Sequence, residues 1–481
     1  MRTDQRRSAF KKAGAKFHYC NPGKIRDLSR TNKLSSIMPT PLELYLDFLR
    51  FPSISTDAAY ADDVKRCAEW LAAQCTASGL TTTIHPTARH PIVVARNIHK
   101  PGRPTVLLYG HYDVQPVDDP FNVWRSKPFD PQIENGIVYA RGATDNKGQL
   151  MAHLCGLAET MRQHADLPVN LVALFEGEEE IGSPNLAPFL EAHRADLACD
   201  IIAISDTGMV APGVPTFTYG LRGITCLEVT LHGPSVDLHS GIFGGTVANP
   251  ATALARLIAT LHDEHGHIAI PGFYDTVAPL QDWERQAWKR LENVEETLPL
   301  TGVPTLFGEA GYSDLERRWA RPTAEVNGIG GGYQGQGSKT VIGTNAFAKL
   351  SFRLVPHQDP ATIQQLILQH LEKHTPPGVR AEIHTGHHGK PYAMDPHSPF
   401  GQAAQRALTA TFPSHPLALI REGGSIPIVQ SFRDILHAET LLLGLALPDC
   451  QAHAPNENFP LANFEAGQKL NQHLLQALAE V

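Results

Sequence analysis

Hydrophobic and polar positions divide this chain into stretches of different character. Between residues 40 and 206, short continuous apolar runs alternate with segments of helical period. Thr40-Pro41-Leu42-Glu43 reads as a capping box with Pro at the first helical position, and Leu42, Tyr45, Leu46 and Leu49 follow at helical spacing. A second helix is predicted over about 61–78, burying Val64, Cys67, Leu71 and Cys75 and closed by Gly79. Strands are predicted near 81–85 and 92–97. The runs PTVLLY at 104–109, VNLVALF at 169–175 and CDIIAI at 199–204 are apolar throughout and end at Gly or acid, as buried parallel strands do. This alternation predicts an α/β layer with a mostly parallel sheet.

The pattern changes after about residue 220. ITCLEVTL at 224–231 alternates as a strand, and Asn249-Pro250 starts a helix through His262. Strands are expected within 340–354. Asp359-Pro360 starts a helix with Ile363, Leu366, Ile367 and Leu371 inward, and 379–384 forms a last strand. The order β-α-β-β-α-β predicts a small ferredoxin-like α+β unit inserted into the larger layer. Residues 266–327 show no clear pattern beyond partial helix near 280–296. The implied domains are 39–219 with 386–481, and 220–385.

Composition adds limits. The chain has 481 residues, 42% hydrophobic and 19% charged, enough for more than one core. A net charge of -8 argues against a nucleic-acid surface. Seven scattered Cys without a C-x-x-C suit free thiols in a reducing compartment, so a cytoplasmic location is expected. Residues 1–38 hold ten Lys and Arg against Asp4 and Asp27, a balance of +8 that leaves -16 on residues 39–481. They carry no apolar signal core and read as a disordered basic extension. No run of 18 apolar residues exists, so no membrane span is expected.

Chemistry gathers where the apolar runs stop. His111 and Asp113 follow the first run. Glu179 and Glu180 in Gly177-Glu-Glu-Glu-Ile-Gly-Ser follow the second, and Asp206 follows the third. Asp145 lies in Gly142-Ala-Thr-Asp-Asn-Lys-Gly and His453 in Ala452-His-Ala-Pro-Asn-Glu. Singly, each has an ordinary reading. His-x-Asp is common in loops, an acidic run is usually solvated, Asp145 could cap the helix that follows, and Asp206 could serve a turn. Jointly, they place ligand-type residues beyond several strand ends, where open α/β sheets bind ligands. Imidazole with carboxylate suits two divalent ions, zinc or manganese.

These motifs resemble the M20 family of metallopeptidases, in its cytosolic dipeptidase or carnosinase-like branch, over roughly residues 40–481. The resemblance implies a phosphorylase/hydrolase-like catalytic domain and an inserted lid that joins two subunits. It implies two metal ions, Zn2+ or alternatively Mn2+, with His111 and Asp206 on one, Glu180 and His453 on the other, and Asp145 bridging. Glu179 would be the general base acting on a water shared by the ions. Asp113 would orient the site, and the Asp145–Asn146 bond would be cis. His239 in Asp237-Leu-His-Ser-Gly would reach the partner subunit's site and stabilise the oxyanion. Arg353 would grip the substrate carboxylate, with Thr340 and Ser425 of Arg421-Glu-Gly-Gly-Ser as further contacts. Without the resemblance, His239 is a polar loop residue, Arg353 a solvent-facing strand residue, and Ser425 part of a plain turn.

The implied activity is hydrolysis of dipeptides or short peptides with a free C-terminal carboxylate. Deacylation of N-acyl amino acids is the alternative, since it uses the same metals and the same clamp. A non-catalytic binding protein fits poorly with a complete set of ligands and base. Expected partners are a small peptide and a second copy of the chain.

Overall fold

Residues 39–117, 122–424 and 426–481 are described in a computed structural model of the chain. The basic extension expected at 1–38, and Ser425, lie outside them. Among the described residues the large sheet has nine strands. Their order is Thr81–His85, Ile92–Arg96, Asn170–Glu176, Thr105–His111, Ile201–Ile204, Glu439–Leu442, Thr216–Leu221 and Tyr392–Ala393, with Ala418–Glu422 also pairing with Thr216–Leu221. The centre is parallel: Leu107 sits opposite both Val172 and Ile202, and Leu441 opposite Ala203. The flanks are antiparallel.

Burial explains the sequence pattern. Every residue of Asn170–Glu176 is buried, because parallel strands here are covered on both faces. Leu107 and Val172 are fully buried, and truncating a leucine in such a place costs about 2–5 kcal/mol. The first helix spans Pro41–Leu49 and has the expected capping box. The second spans Ala61–Ala77 and buries Val64, Cys67, Leu71 and Cys75. Gly79 follows it at φ +87°, a left-handed turn that glycine adopts without steric cost. Helices Lys147–His164 and Leu461–Leu478 pack together over the sheet.

A second sheet has four antiparallel strands in the order Thr323–Gly331, Asn345–Leu354, Gly223–His232, Arg380–Gly389. Gly223–His232 alternates strictly between buried and half-buried positions, as a sheet covered on one face should. Its inward residues Leu227, Val229 and Leu231 join Leu254 and Leu257 of helix Pro250–Ala259 and Ile363, Ile367 and Leu371 of helix Pro360–His374 in a separate apolar core.

Three details differ from the sequence reading. The middle strands of the β-α-β-β-α-β order are not both within 340–354: one is Thr323–Gly331, and Val341–Ile342 pairs instead with Leu238–His239. The helix begun at Asn249-Pro250 ends at Ala259. Residues 266–327 are more ordered than expected, with helices Asp282–Lys289, Val294–Thr301 and Asp314–Ala320. Trp288 and Trp319 from this stretch pack into the large core edge to face, at 5.3 Å, which anchors segments that lack long apolar runs. No helix among the described residues is long and apolar enough to cross a membrane.

Candidate active site

The strand Thr105–His111 delivers its last residue, fully buried, to the edge of the sheet. His111 Nδ1 lies 3.2 Å from the Asp113 carbonyl and 3.4 Å from its carboxylate. That fixes the ring so that Nε2 faces Asp145 at 3.2 Å and Asp206 at 3.7 Å. Nε2 is buried and faces only carboxylate oxygens, none in good hydrogen-bond geometry, an unusual state for a buried polar atom.

Asp145 comes from the loop before helix Lys147–His164, and the Asp145–Asn146 peptide is cis. The loop is held from behind by Glu457, whose carboxylate is completely buried. Its Oε1 accepts the N–H groups of Thr144 and Asp145, each at 2.9 Å, and its Oε2 accepts Gly142 N–H at 2.9 Å and Arg141 at 2.8 Å. The sequence reading of Asp145 as a helix cap is not what is seen: the cap position is Asn146, without a side-chain cap bond. Asn146 instead braces the site. Its Oδ1 accepts His111 N–H at 3.4 Å, and its Nδ2 donates to Ser205 O at 2.6 Å and Asp206 Oδ1 at 2.9 Å.

Glu179 and Glu180 sit on a single 3-10 turn, Glu179–Ile181, after strand Asn170–Glu176. Asp113 receives the N–H of Glu179 at 3.2 Å and of Glu180 at 3.1 Å, so one buried carboxylate orients both His111 and this turn. Gln115 donates to Glu180 Oε2 at 2.7 Å. His453, in the left-handed region at φ +60°, brings Nε2 to 2.9 Å from Asp145 Oδ2 and 3.4 Å from Glu180. The two oxygens of Asp145 therefore face different imidazoles.

Crowding of acids governs the electrostatics. Burial drives Glu179 well above the usual carboxylate range, with Asp206, Glu180 and Asp145 adding to it. Burial and then Asp145 push Glu180 up to about 8, and burial also raises Asp206. Burial opposes ionisation of Asp145 as well, but the imidazoles of His111 and His453 against its two oxygens outweigh it and hold its carboxyl low. The bond to Asp145 lifts His453 to about 9. Burial disfavours charge on His111, yet Asp206 and the other acids carry it well above its ordinary value. A site that draws positive charge onto its imidazoles is chemically suited to a cation. His111, Asp145 and Glu180 offer ligand atoms within 4.8 Å of one another, and Nε2 of His111 points into that group. The donor set fits a divalent metal.

The residues expected to contact substrate sit on other elements. His239 is exposed and pairs with Val341, and its Nδ1 accepts Gly241 N–H at 3.0 Å. Thr340 is exposed beside it, its carbonyl accepting Ser240 N–H at 3.0 Å. Arg353 lines a cleft of about 560 Å³ with Arg222, Arg318 and Glu325. Residues the sequence reading passed over are Glu457, Asn146, Gln115 and Glu422. Two of them could have been found, since Asn146 adjoins Asp145 and Glu457 closes the His453 motif.

A family model described as Peptidase family M20/M25/M40 matches residues 107–477. The chain is similar to Cys-Gly metallodipeptidase DUG1 of Saccharomyces cerevisiae, with 34% identity over 93% of this chain and 97% of that protein. It is also similar to Beta-Ala-His dipeptidase of Homo sapiens, with 33% identity over 79% of this chain and 76% of that one. Among solved structures it resembles the M20 family metallo-carboxypeptidase Sso-CP2 from Sulfolobus solfataricus, with a TM-score of 0.80 and 34% identity over 92% of this chain and 100% of that one.

Proposed function

This chain belongs to peptidase family M20/M25/M40 and is a hydrolase of peptide bonds, and on that premise we propose that it cleaves dipeptides or short peptides bearing a free C-terminal carboxylate. The observation that carries the reading is the meeting of His111, Asp145 and Glu180, with Glu179 on the same turn as Glu180. The similar proteins named as dipeptidases agree with it.

In this reading His111 and Asp206 would hold one ion, Glu180 and His453 would hold the other, and Asp145 would serve both. The two oxygens of Asp145 facing opposite imidazoles support the bridge. Zinc is the proposed metal, with manganese served by the same ligands. When bound, such ions polarise the scissile carbonyl and make water acidic. Glu179 takes the proton of the attacking water on its carboxylate and hands it to the leaving amine nitrogen. Asp113 keeps the Glu179 backbone and the His111 ring in register through both steps.

Arg353, Thr340, Ser425 and His239 are proposed to contact substrate, with the four-stranded unit acting as a lid. The loop around His239 exposes Val236, Ile242 and Phe243, and strand Thr323–Gly331 of the same unit exposes Ile329. An apolar surface of this kind supports a homodimer through the lid, in which His239 serves the partner's site. The cysteines among the described residues are free, which suits the cytoplasm.

Turnover of a dipeptide panel and of matched N-acyl amino acids, with zinc or manganese supplied, tests the proposal. Dipeptide cleavage that a chelator abolishes is expected. Cleavage of N-acyl amino acids with dipeptides left intact would replace it.

A further inference from the structure

Several carboxylates surround the candidate cleft without being assigned to metal or base. Most are saturated. Asp113 holds two backbone N–H groups. Glu176 takes the hydroxyls of Tyr109 and Ser183 at 2.7 and 2.8 Å. Glu178 takes His90 N–H at 2.8 Å and the Asn185 amide. Glu457 has four donors.

Glu422 differs. It ends the strand Ala418–Glu422 and is half-buried. Its Oε1 accepts two long bonds, from Gly208 N–H at 3.4 Å and Thr218 Oγ at 3.3 Å. No Lys, Arg or His among the described residues pairs with it. The nearby arginines are engaged elsewhere: Arg421 with Glu284, and Arg222 with the carbonyls of Gly423 and Arg321. Gly208 lies two residues after Asp206, and the Glu422 carboxyl is near enough to Asp206 to feel its charge. Burial first, and then the charge of Asp206, raise its carboxyl to about 7, and no cation beside it among the described residues offsets this.

A dipeptide carries an ammonium close to its scissile carbonyl. Its α-amino nitrogen is bonded to the carbon next to that carbonyl, so a carbonyl held at the ligand group keeps the amine within two bonds of the reacting carbon. We infer that Glu422 receives the free α-amino group of the substrate's first residue and so makes the cleft selective for peptides over N-acyl amino acids. The inference rests on the dipeptidase reading above and names how that site chooses its substrate. An acyl group lacking the amine leaves Glu422 desolvated and unpaired, which penalises binding.

The test compares Ala-Leu with propionyl-leucine, the same molecule with hydrogen in place of the amine. A hydrogen bond to a charged partner corresponds to a factor of roughly 10 to 100. Wild-type enzyme is expected to prefer Ala-Leu in kcat/KM by at least that factor. Glu422→Gln is expected to lose it on Ala-Leu while propionyl-leucine changes less than about twofold. Metal content and thermal unfolding of the variant should match wild type. A second arm needs no variant: the KM for Ala-Leu should rise as the substrate amine loses its proton near pH 8, and that for propionyl-leucine should not. Equal losses on both substrates, an unchanged preference in Glu422→Gln, or a KM for Ala-Leu indifferent to that pH range would each overturn the inference and leave the dipeptidase reading standing. Wild-type enzyme that cleaves neither compound, nor any dipeptide, removes that reading and the inference with it. If Glu422→Gln does not fold, the wild-type pH arm decides.

Discussion

The backbone N–H of Asp145 donates to Oε1 of Glu457 at 2.9 Å, across 312 positions of sequence. The same carboxylate binds Gly142, Thr144 and Arg141, so it acts as a mould for the loop that presents Asp145. Glu457→Gln cannot reproduce this, because one of its two ends would turn an NH2 donor toward N–H donors. Metal affinity is expected to fall by roughly 10- to 100-fold, measured by titrating zinc into chelator-stripped protein. An isotherm like that of wild type would remove Glu457 from any role in shaping the site.

Glu179→Gln and Glu180→Gln should separate base from ligand. The first is expected to keep both metals and bind substrate while turnover falls by roughly 10²- to 10⁴-fold. The second should lose affinity for one metal. Metal analysis beside steady-state kinetics distinguishes them, and a metal-depleted Glu179→Gln protein would reverse the assignment.

His239→Ala and Glu179→Gln should each be nearly inactive alone. If His239 acts across a dimer, mixing the two under subunit exchange restores part of the activity, because one heterodimer site then has an intact base and an intact partner histidine. Proven exchange with no recovery would confine His239 to its own subunit or exclude it from catalysis. A monomer by light scattering at assay concentration, fully active, would rule out the shared site.

The ends of the parallel strands were legible because an unbroken apolar run stops abruptly at His111, at Glu176 and just before Asp206. Strand Thr323–Gly331 was not. It is an edge strand with three glycines, irregular register between Val326 and Gly328, and no regular alternation of buried and exposed positions, so neither period marks it. Glu457 was visible only as the last residue of the His453 motif; its role was not, because three of its four partners are backbone N–H groups, which leave no trace in the sequence. The helices within 282–320 are short and rely on tertiary packing of Trp288 and Trp319, which local periodicity does not report.

His153 gives a pH prediction away from the cleft. It is buried between Ser205 Oγ at 2.6 Å from Nε2 and Asn471 Nδ2 at 3.2 Å from Nδ1. Ser205 donates onward to Leu443 O, so it accepts from Nε2, while Nδ1 accepts from Asn471. Only the neutral Nε2–H ring satisfies both, and burial lowers His153 from 6.5 to about 4. Below pH 6.5 the unfolded chain takes up a proton that the folded chain refuses, so this contribution is intact above that pH and falls away toward pH 4. The slope approaches about 1.4 kcal/mol per pH unit for one proton. Denaturant unfolding of metal-free protein between pH 4 and 6.5 should show a shallower slope in His153→Gln, and an equal slope would exclude His153 as the source.

The molecule has two apolar cores, one under the ligand-bearing strand ends and one within the four-stranded sheet that carries Arg353. Packing constraints on one are largely independent of the other. Substitutions on the outward face of the smaller sheet can therefore accumulate without disturbing the residues that gather around His111. A chain organised this way can diverge in diet while conserving its reaction, since inheritance acts on the two halves under separate structural rules.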